Sequence, residues 1–576
     1  MDGKRPIIHD QTNLLPKQRL LVVFPALACA LLITYIDQQS IGVMLPTIGR
    51  DLDCASTIVW AGTSSLIANT AFQVLYGRLS DIWGRKYLLL GCLGLLALGD
   101  LLCGFAKTGT QLYAFRGVSG VANGGIMALV MMIVSDITTL EQRGKYQGIL
   151  GSCVGLGNSI GPFVAAAFAG SSTATWRATF YLIAPLAVLV AALLLWLLPP
   201  QRLPADEPWR AKLAKVDYAG IVLSAAGTII LLVPVSGLGT QFSAHSAMVI
   251  AMLTVGAVLL ALFVVNEWRW ARLPMFPLRL FHNGALAAML VQNFLIGIVF
   301  YSLLYYLPIY FQTARQYGRI ASAALVLPIV VPQAVASAAS GQYISRRGRY
   351  GEVIWLGYGL WTLGTALQCL FARRGFPIAG VAVVLAVQGC GVGLVFQPTL
   401  VAAQAHSPKQ DRAVVISARN FIRALGGSAG LAIASAVFSS TLLSSLPAAL
   451  PASVRTSIQD AVFAVPDLTG VADVALREGV IEAYAHAFRN ISILWAAAMG
   501  TCLLLMVFIK DKGLARKVDE EKAQAAAVEA VAGTTAAAAV TEGETSSTDT
   551  SETGGVVEER QLSLVIVGGE KADEKV

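Results

Sequence analysis

Asp37 lies in the outer half of a long apolar run, 20–46. A charged group in such a run costs about 2.5–3.5 kcal/mol on membrane-insertion scales, so it needs a reason to be there. Thr34, Asp37, Gln38 and Ile41 share one helix face by i, i+3, i+4 and i+7 spacing. The face is mostly polar and must meet protein or a water-filled cavity. A carboxyl group there could take up and release a proton as the cavity opens to either side. It could equally be a structural hydrogen-bonding aspartate. Asp100 and Arg116 form a second candidate pair. Each lies about two helical turns from the connection near Lys107, one before it and one after, at ~1.5 Å rise per residue. At similar depth they could pair, either as a permanent staple or as a coupling element released when a neighbouring charge changes.

These residues require membrane-spanning helices to hold them. The chain has 576 residues, 56% of them hydrophobic and 13% charged, with a mean hydropathy of +0.66. A soluble globular chain carries roughly 25% charged residues. Many runs reach the ~20 apolar residues that cross a bilayer. The fold class is therefore an all-α polytopic membrane protein. Spans are expected near 20–46, 57–76, 87–106, 110–134, 147–169 and 177–198, then 218–238 and 246–266, then 285–311, 320–343, 351–371, 376–402, 413–443 and 487–509, fourteen in all. With a cytoplasmic N-terminus, Arg78, Arg85, Lys86, Arg143, Lys145, Lys212, Lys215, Arg346 and Arg347 fall inside, whereas the short outer loops keep few basic residues, as the positive-inside rule requires. The net charge of +8 is spread over these loops and is no nucleic-acid footprint. No cleavable signal is expected, because residues 1–19 are polar and the first apolar run is too long for a signal core. The eight cysteines and five histidines show no metal-ligand spacing, and no Ser-His-Asp grouping suggests an enzyme.

Residues 77–86 read Gly-Arg-Leu-Ser-Asp-Ile-Trp-Gly-Arg-Lys between two apolar runs. Gly77 and Gly84 are expected to let the backbone turn tightly, since glycine tolerates φ > 0. The pattern Gly-x-Leu-x-Asp-x-x-Gly-Arg-Lys resembles the loop between helices two and three of the major facilitator superfamily. Residues 341–350 repeat its glycine spacing of seven, 264 residues later, without the aspartate. Major facilitator halves are parallel six-helix repeats. The resemblance thus implies two six-helix bundles, 20–200 and 281–512, with a linker and two extra spans over 201–280. A cytoplasmic N-terminus (1–19), a long outer loop (444–486) and a disordered acidic cytoplasmic tail (513–576) complete the organisation.

Further motifs narrow the resemblance. Gly148, Gly157, Gly161 and Pro162 give Gly-x8-Gly-x3-Gly-Pro in the fifth span. In physical terms this is a tightly packed, kinked helix. It resembles the antiporter motif of drug:proton exporters, which implies export. Leu112-Tyr-Ala-Phe-Arg116-Gly-Val-Ser-Gly120 is similar to the fourth-helix motif of proton-coupled members, with Ser119 in place of the usual Gln. That similarity implicates Arg116 in proton transfer beside Asp37 and Asp100. Tyr35-Ile-Asp37, Trp176-Arg177, Asp217-Tyr-Ala-Gly220 and Tyr306-Leu-Pro308 match the fourteen-spanner drug:proton antiporter family of fungal efflux-pump type. Asp81, Arg85 and Asp136, with Gly77, Gly84 and Lys86 of the loop, take a gating role by this resemblance. Gln38, Asn293, Tyr301, Tyr305 and Gln388 are candidate cavity residues, or else hydrogen bonds of helix packing.

The resemblance implies a proton-coupled alternating-access exporter of drugs, toxins or secondary metabolites. It would be a monomer in the cell membrane, driven by the proton gradient without a cofactor or metal. Its partners would be its small organic substrate, protons and the lipid bilayer. The rivals are a vacuolar basic amino acid carrier or a siderophore transporter of the same fold, and a non-transporting membrane sensor.

Overall fold

A computed structural model describes residues 15–54, 57–169, 175–199, 208–237, 242, 246–271, 273–371, 375–408, 411–460, 462, 473–511 and 513. The expectations for 1–14, for 200–207 of the linker and for the tail from 514 onward lie outside these residues. So do 463–472 of the outer loop and the basic residues Arg272, Arg373, Arg374, Lys409 and Lys512.

The chain runs as α1 (Lys17–Asp51), α2 (Trp60–Gln73), α3 (Leu75–Trp83), α4 (Arg85–Phe105), α5 (Gly109–Ile137), α6 (Leu140–Ala169), α7 (Arg177–Leu197) and α8 (Trp209–Ala214). It continues as α9 (Tyr218–Gly237), α10 (Ala247–Arg269), α11 (Gly284–Thr313), α12 (Arg319–Ala324) and α13 (Leu327–Arg347). The last are α14 (Gly351–Phe371), α15 (Ile378–Ala405), α16 (Arg412–Ser445), α17 (Ala452–Asp460) and α18 (Val474–Leu505). Among the described residues, 13 helical stretches are long and apolar enough to cross a membrane. The fourteenth crossing is α2 followed by α3. Val74 between them keeps right-handed helical dihedrals. The first helix of this crossing, α2, is short, with 14 residues, and carries Ser65, Asn69, Thr70 and Gln73. Those polar residues face a cavity, not lipid.

The apolar packing follows the internal repeat. One cluster gathers α1, α4, α5, α7 and Leu150 of α6 around Leu27, Leu93, Leu129 and Leu194, and reaches Tyr76 of α3 and Leu400, Ala413 and Ile416 of the second repeat at its edge. A larger one gathers α11, α13, α14, α15, α16 and α18 around Tyr310, Trp361 and Phe488. A small cluster joins them: Val74, Phe263, Met275, Phe276, Ala418 and Phe421. The inserted pair α9–α10 thus packs beside both α2–α3 and α16. Outward-facing Trp196, Val222, Trp268 and Leu504 are exposed, as expected where lipid is the solvent.

The glycine expectations resolve differently at the two ends of the 77–86 segment. Gly84 has φ 86°, a conformation that an L side chain resists, and it turns the chain from α3 into α4. Gly77 does not turn the chain. It lies inside α3, and a Cβ there would sit 2.6 Å from Ser417 Oγ and 3.3 Å from Val414 Cα. Its lack of a side chain lets α3 touch α16. The repeat behaves alike: Gly348 has φ 67°, and a Cβ on Gly341 would lie 2.9 Å from Gly148 Cα.

The outer loop is shorter than 444–486. α18 begins at Val474, capped by Asp473, whose Oδ1 accepts from Ala475 N at 2.8 Å. The helical spacing of 474–488 runs without a breaker into the last span.

At the outer end of α1, Asp51 Oδ2 accepts from Trp176 Nε1 at 2.9 Å and from Arg177 Nη1 at 2.6 Å. These bonds, Trp176 first and Arg177 second, hold the Asp51 carboxyl below its ordinary range. A lowered folded-state value stabilises the fold above the unfolded carboxylate's pKa of ~3.9, and that stability is lost as pH falls through the folded value. Asp51→Asn should therefore lower the melting temperature modestly at pH 7. The gap from wild type should close as pH falls below about 4, measured by thermal melts of detergent-purified protein.

Candidate functional site

Asp37, expected as a proton group, is 1% exposed and sits at the centre of a buried cluster. Its Oδ1 accepts from Arg116 Nη1 at 2.6 Å, and its Oδ2 accepts from Asn123 Nδ2 at 2.7 Å. Arg116 is the link between Asp37 and Asp100, because the same Nη1 lies 3.8 Å from Asp100 Oδ1. The Asp100–Arg116 pair read from depth is thus present but secondary. Arg116 belongs first to Asp37, which it meets at 2.6 Å against 3.8 Å for Asp100. Ser119, the departure from the family pattern, donates to Asp100 Oδ1 at 2.8 Å. Asp100 Oδ2 is buried without a hydrogen-bond partner. Arg116 also lies over the Phe180 ring, 5.7 Å from its centroid.

Sequence reasoning missed Asn123. Its spacing of seven from Arg116 put it on the same face of α5, which was the available signal.

A cavity of about 320 Å³ lies between the two repeats. Arg116 lines it, so the carboxylate cluster reaches the cavity through its guanidinium. Gln38, Tyr301 and Tyr305 also line it, as does Tyr35. Asn293 and Gln388 do not. Asn293 donates to Met289 O at 2.7 Å within its own helix. Gln388 donates to Gln368 Oε1 at 2.6 Å in the seam between α14 and α15. Both are helix-packing amides. The polar wall that sequence reading overlooked is α2, through Ser65, Asn69 and Gln73, and α16, through Arg423.

Ion pairs bridge the two repeats at the end of the bundle that carries residues 77–86. Asp81 pairs with Arg78 at 3.3 Å and with Arg85 at 3.6 Å, and Arg85 pairs with Asp136. Arg78 carries the network across: it lies 3.7 Å from Asp411 and donates to Pro274 O at 2.7 Å. Arg279 completes it at 2.6 Å from Asp411. Lys86 stands apart from this network. Its Nζ donates to Leu195 O at 2.7 Å and to Leu198 O, placing a cation at the carboxyl end of α7 where the helix dipole favours it.

The Gly-x8-Gly-x3-Gly-Pro helix, α6, serves two partners. In its first half a Cβ on Gly148 would lie 2.6 Å from Ser337 O, on α13 of the second repeat. Ser337 Oγ donates back to Gly148 O at 3.1 Å, and Ser152 Oγ donates to Ala334 O at 2.6 Å. At its outer end the partner is α1: a Cβ on Gly157 would lie 2.6 Å from Tyr35 Cβ, and one on Gly161 2.9 Å from Ile36 O. Pro162 lies inside the helix and leaves the carbonyl of Asn158 without its helical donor. One helix therefore touches both the Asp37 helix and the opposing repeat.

The family model described as Major Facilitator Superfamily matches residues 27–431. The chain is 46% identical over 517 residues to citrate exporter 1 of Yarrowia lipolytica, covering 90% of this chain and 76% of that one. It is 31% identical over 423 residues to efflux pump dotC of Dothistroma septosporum, covering 73% and 72%. A crystal structure of a human organic anion transporter superposes with a TM-score of 0.56 at 16% identity, over 85% of this chain and 100% of that one, a likeness of fold alone. This multi-pass membrane chain belongs to the Major Facilitator Superfamily.

Proposed function

We propose that the protein is a proton-coupled, alternating-access exporter of small organic compounds that works as a monomer in the cell membrane. The observation that carries this reading is the buried Asp37–Arg116–Asp100 cluster at the wall of the central cavity. Two carboxylates face one guanidinium, so uptake of a single proton makes the cluster neutral. A proton arriving at Asp37 weakens its hold on Arg116 and frees that guanidinium toward the cavity. Substrate leaving and proton entering can then alternate at neighbouring groups.

The cytoplasmic network around Arg78, Asp81, Arg85, Asp136 and Asp411 acts as the latch of the inward-closed state. The ligand or proton must bind the two states differently to shift them. The α6 contacts with α13 and with α1 give the rocking halves a close-packed pivot. The outward direction is supported by the glycine–proline spacing of α6 and by two similar proteins, one named a citrate exporter and one an efflux pump. The cavity, the proton cluster and the latch all come from a single chain.

The test is efflux of labelled citrate and of a panel of dyes and drugs from cells lacking their own pumps, with and without a protonophore. Efflux that collapses with the protonophore is expected. Net uptake, or efflux indifferent to the protonophore, contradicts the reading.

A further inference from the structure

Arg423 presents a positive charge to the cavity with no acid to meet it. It lies on α16 and lines the cavity beside Phe396 and Tyr301. Its Nη2 donates only a long bond, 3.4 Å, to Asn420 Oδ1, and its buried Nε has no partner. Among the described residues no carboxylate lies within 4.0 Å of it, and none lines the cavity. What holds the guanidinium is a ring: its Cζ lies 5.1 Å from the centroid of Phe396. Stacking on a ring face fixes a guanidinium without neutralising it.

One helical turn back, Arg419 adds a second charge on the same face by i, i+4 spacing. It is 1% exposed. It donates to Phe396 O at 2.5 Å and Thr399 Oγ1 at 2.9 Å, both neutral acceptors, and its Nε is also unpartnered. Arg116 across the cavity shows the contrast, because there a carboxylate at 2.6 Å takes the charge. Uncompensated cations within a membrane protein are costly and, where they face a cavity, mark a ligand pathway. A guanidinium whose donors are free suits an oxyanion, which it can bind in bidentate fashion.

We propose that Arg423, backed by Arg419, is the anion-binding residue of the cavity, so that the cargo is a small organic anion whose carboxylate or phosphate group seats on this guanidinium. This deepens the exporter reading and rests on it. A cavity of about 320 Å³ suits a metabolite-sized anion. The aromatic and amide groups around it, Tyr35, Tyr301, Gln38 and Asn69, supply its remaining contacts. A compact cation is disfavoured, because among the described residues that line the cavity the charged groups are guanidinium groups.

The test is counterflow in proteoliposomes holding the purified full chain. The probes are labelled citrate, succinate and glycerol 3-phosphate, with tetraphenylphosphonium as the cationic control. Wild type should exchange at least one of the anions and not the cation. The first two probes against the third separate carboxylate from phosphate as the preferred group. Arg423→Gln should raise KM for that anion at least about tenfold, the scale of losing one charge-assisted hydrogen bond, and Arg423→Lys should recover part of the loss. A purely structural arginine would instead lower the melting temperature and the amount of folded protein, with KM unchanged in what remains. Should Arg423→Gln fail to fold, the charge selectivity of the wild type decides alone.

Exchange of tetraphenylphosphonium without any of the anions overturns the assignment, as does wild-type KM in Arg423→Gln. Proton-driven transport of the cation would leave the exporter reading intact while removing this one. Anion exchange that needs Arg423 but ignores the proton gradient would do the reverse.

Discussion

Asp37→Asn is expected to reduce efflux to the background of cells without the protein, and to leave no component that a protonophore can remove. Asparagine keeps the shape of the side chain and can still accept from Arg116, but it cannot carry a proton between the two sides. The fold should survive. Removing one partner of a buried ion pair ordinarily costs about 3–5 kcal/mol. Here Asp100, 3.8 Å from the same guanidinium, remains to compensate the charge. A melting temperature within a few degrees of wild type alongside lost efflux would place the effect on coupling. A collapse of the melting temperature would place Asp37 among the structural aspartates instead. Asp100→Asn should be milder, because Asp100 holds Arg116 only at the longer distance.

Gly148→Val is expected to cut export strongly by a different route. A Cβ at that position would stand 2.6 Å from the backbone oxygen of Ser337 and 2.8 Å from Gly341 Cα. Neither is a side-chain tip that can swing away, so α6 and α13 must separate. The overpacking would cost about 1–3 kcal/mol, charged wholly to the inward-closed state, where these helices touch. A bias of that size shifts the balance between states by roughly 5- to 150-fold. The expected outcome is a protein that still binds substrate from the cytoplasmic side but releases it outside at roughly 1–20% of the wild-type rate. Thiol labelling of a cysteine introduced near the cytoplasmic mouth should rise in parallel. Gly148→Ala should show a smaller loss of the same kind. Wild-type export by Gly148→Val would remove α6–α13 contact from the transport cycle.

Much of this architecture was legible in the chain. Apolar runs and basic loops place the helices, because a bilayer demands both. The glycine spacing at 77–84 and 341–348 reveals the repeat, and Asp37 is conspicuous as a carboxylate in an apolar run. What escaped was mostly what depends on the approach of distant helices. The role of Gly77 is set by Ser417 on α16, and that of Lys86 by the end of α7. No local pattern names either partner. Asn293 and Gln388 looked like cavity residues because amides in apolar helices suit both a cavity and a helix seam. Only their hydrogen bonds separate the two. Arg419 and Arg423 stand out as two basic residues within the run 413–443, yet nothing local says whether an arginine there faces a cavity or a helix seam. The acidic partner of the latch, Asp411, likewise gains its meaning only from Arg78 and Arg279.

The proposed coupling of outward transport to protons at Asp37 is tested most directly with purified protein in liposomes loaded with labelled citrate. The membrane voltage is clamped and the external pH is stepped from 7.5 to 6. The expected result is faster citrate exit from wild-type vesicles after the step, abolished by a protonophore, and an exit rate from Asp37→Asn vesicles that does not respond to the step. Citrate exit from wild type that ignores the step, or an equal response in Asp37→Asn, would contradict it.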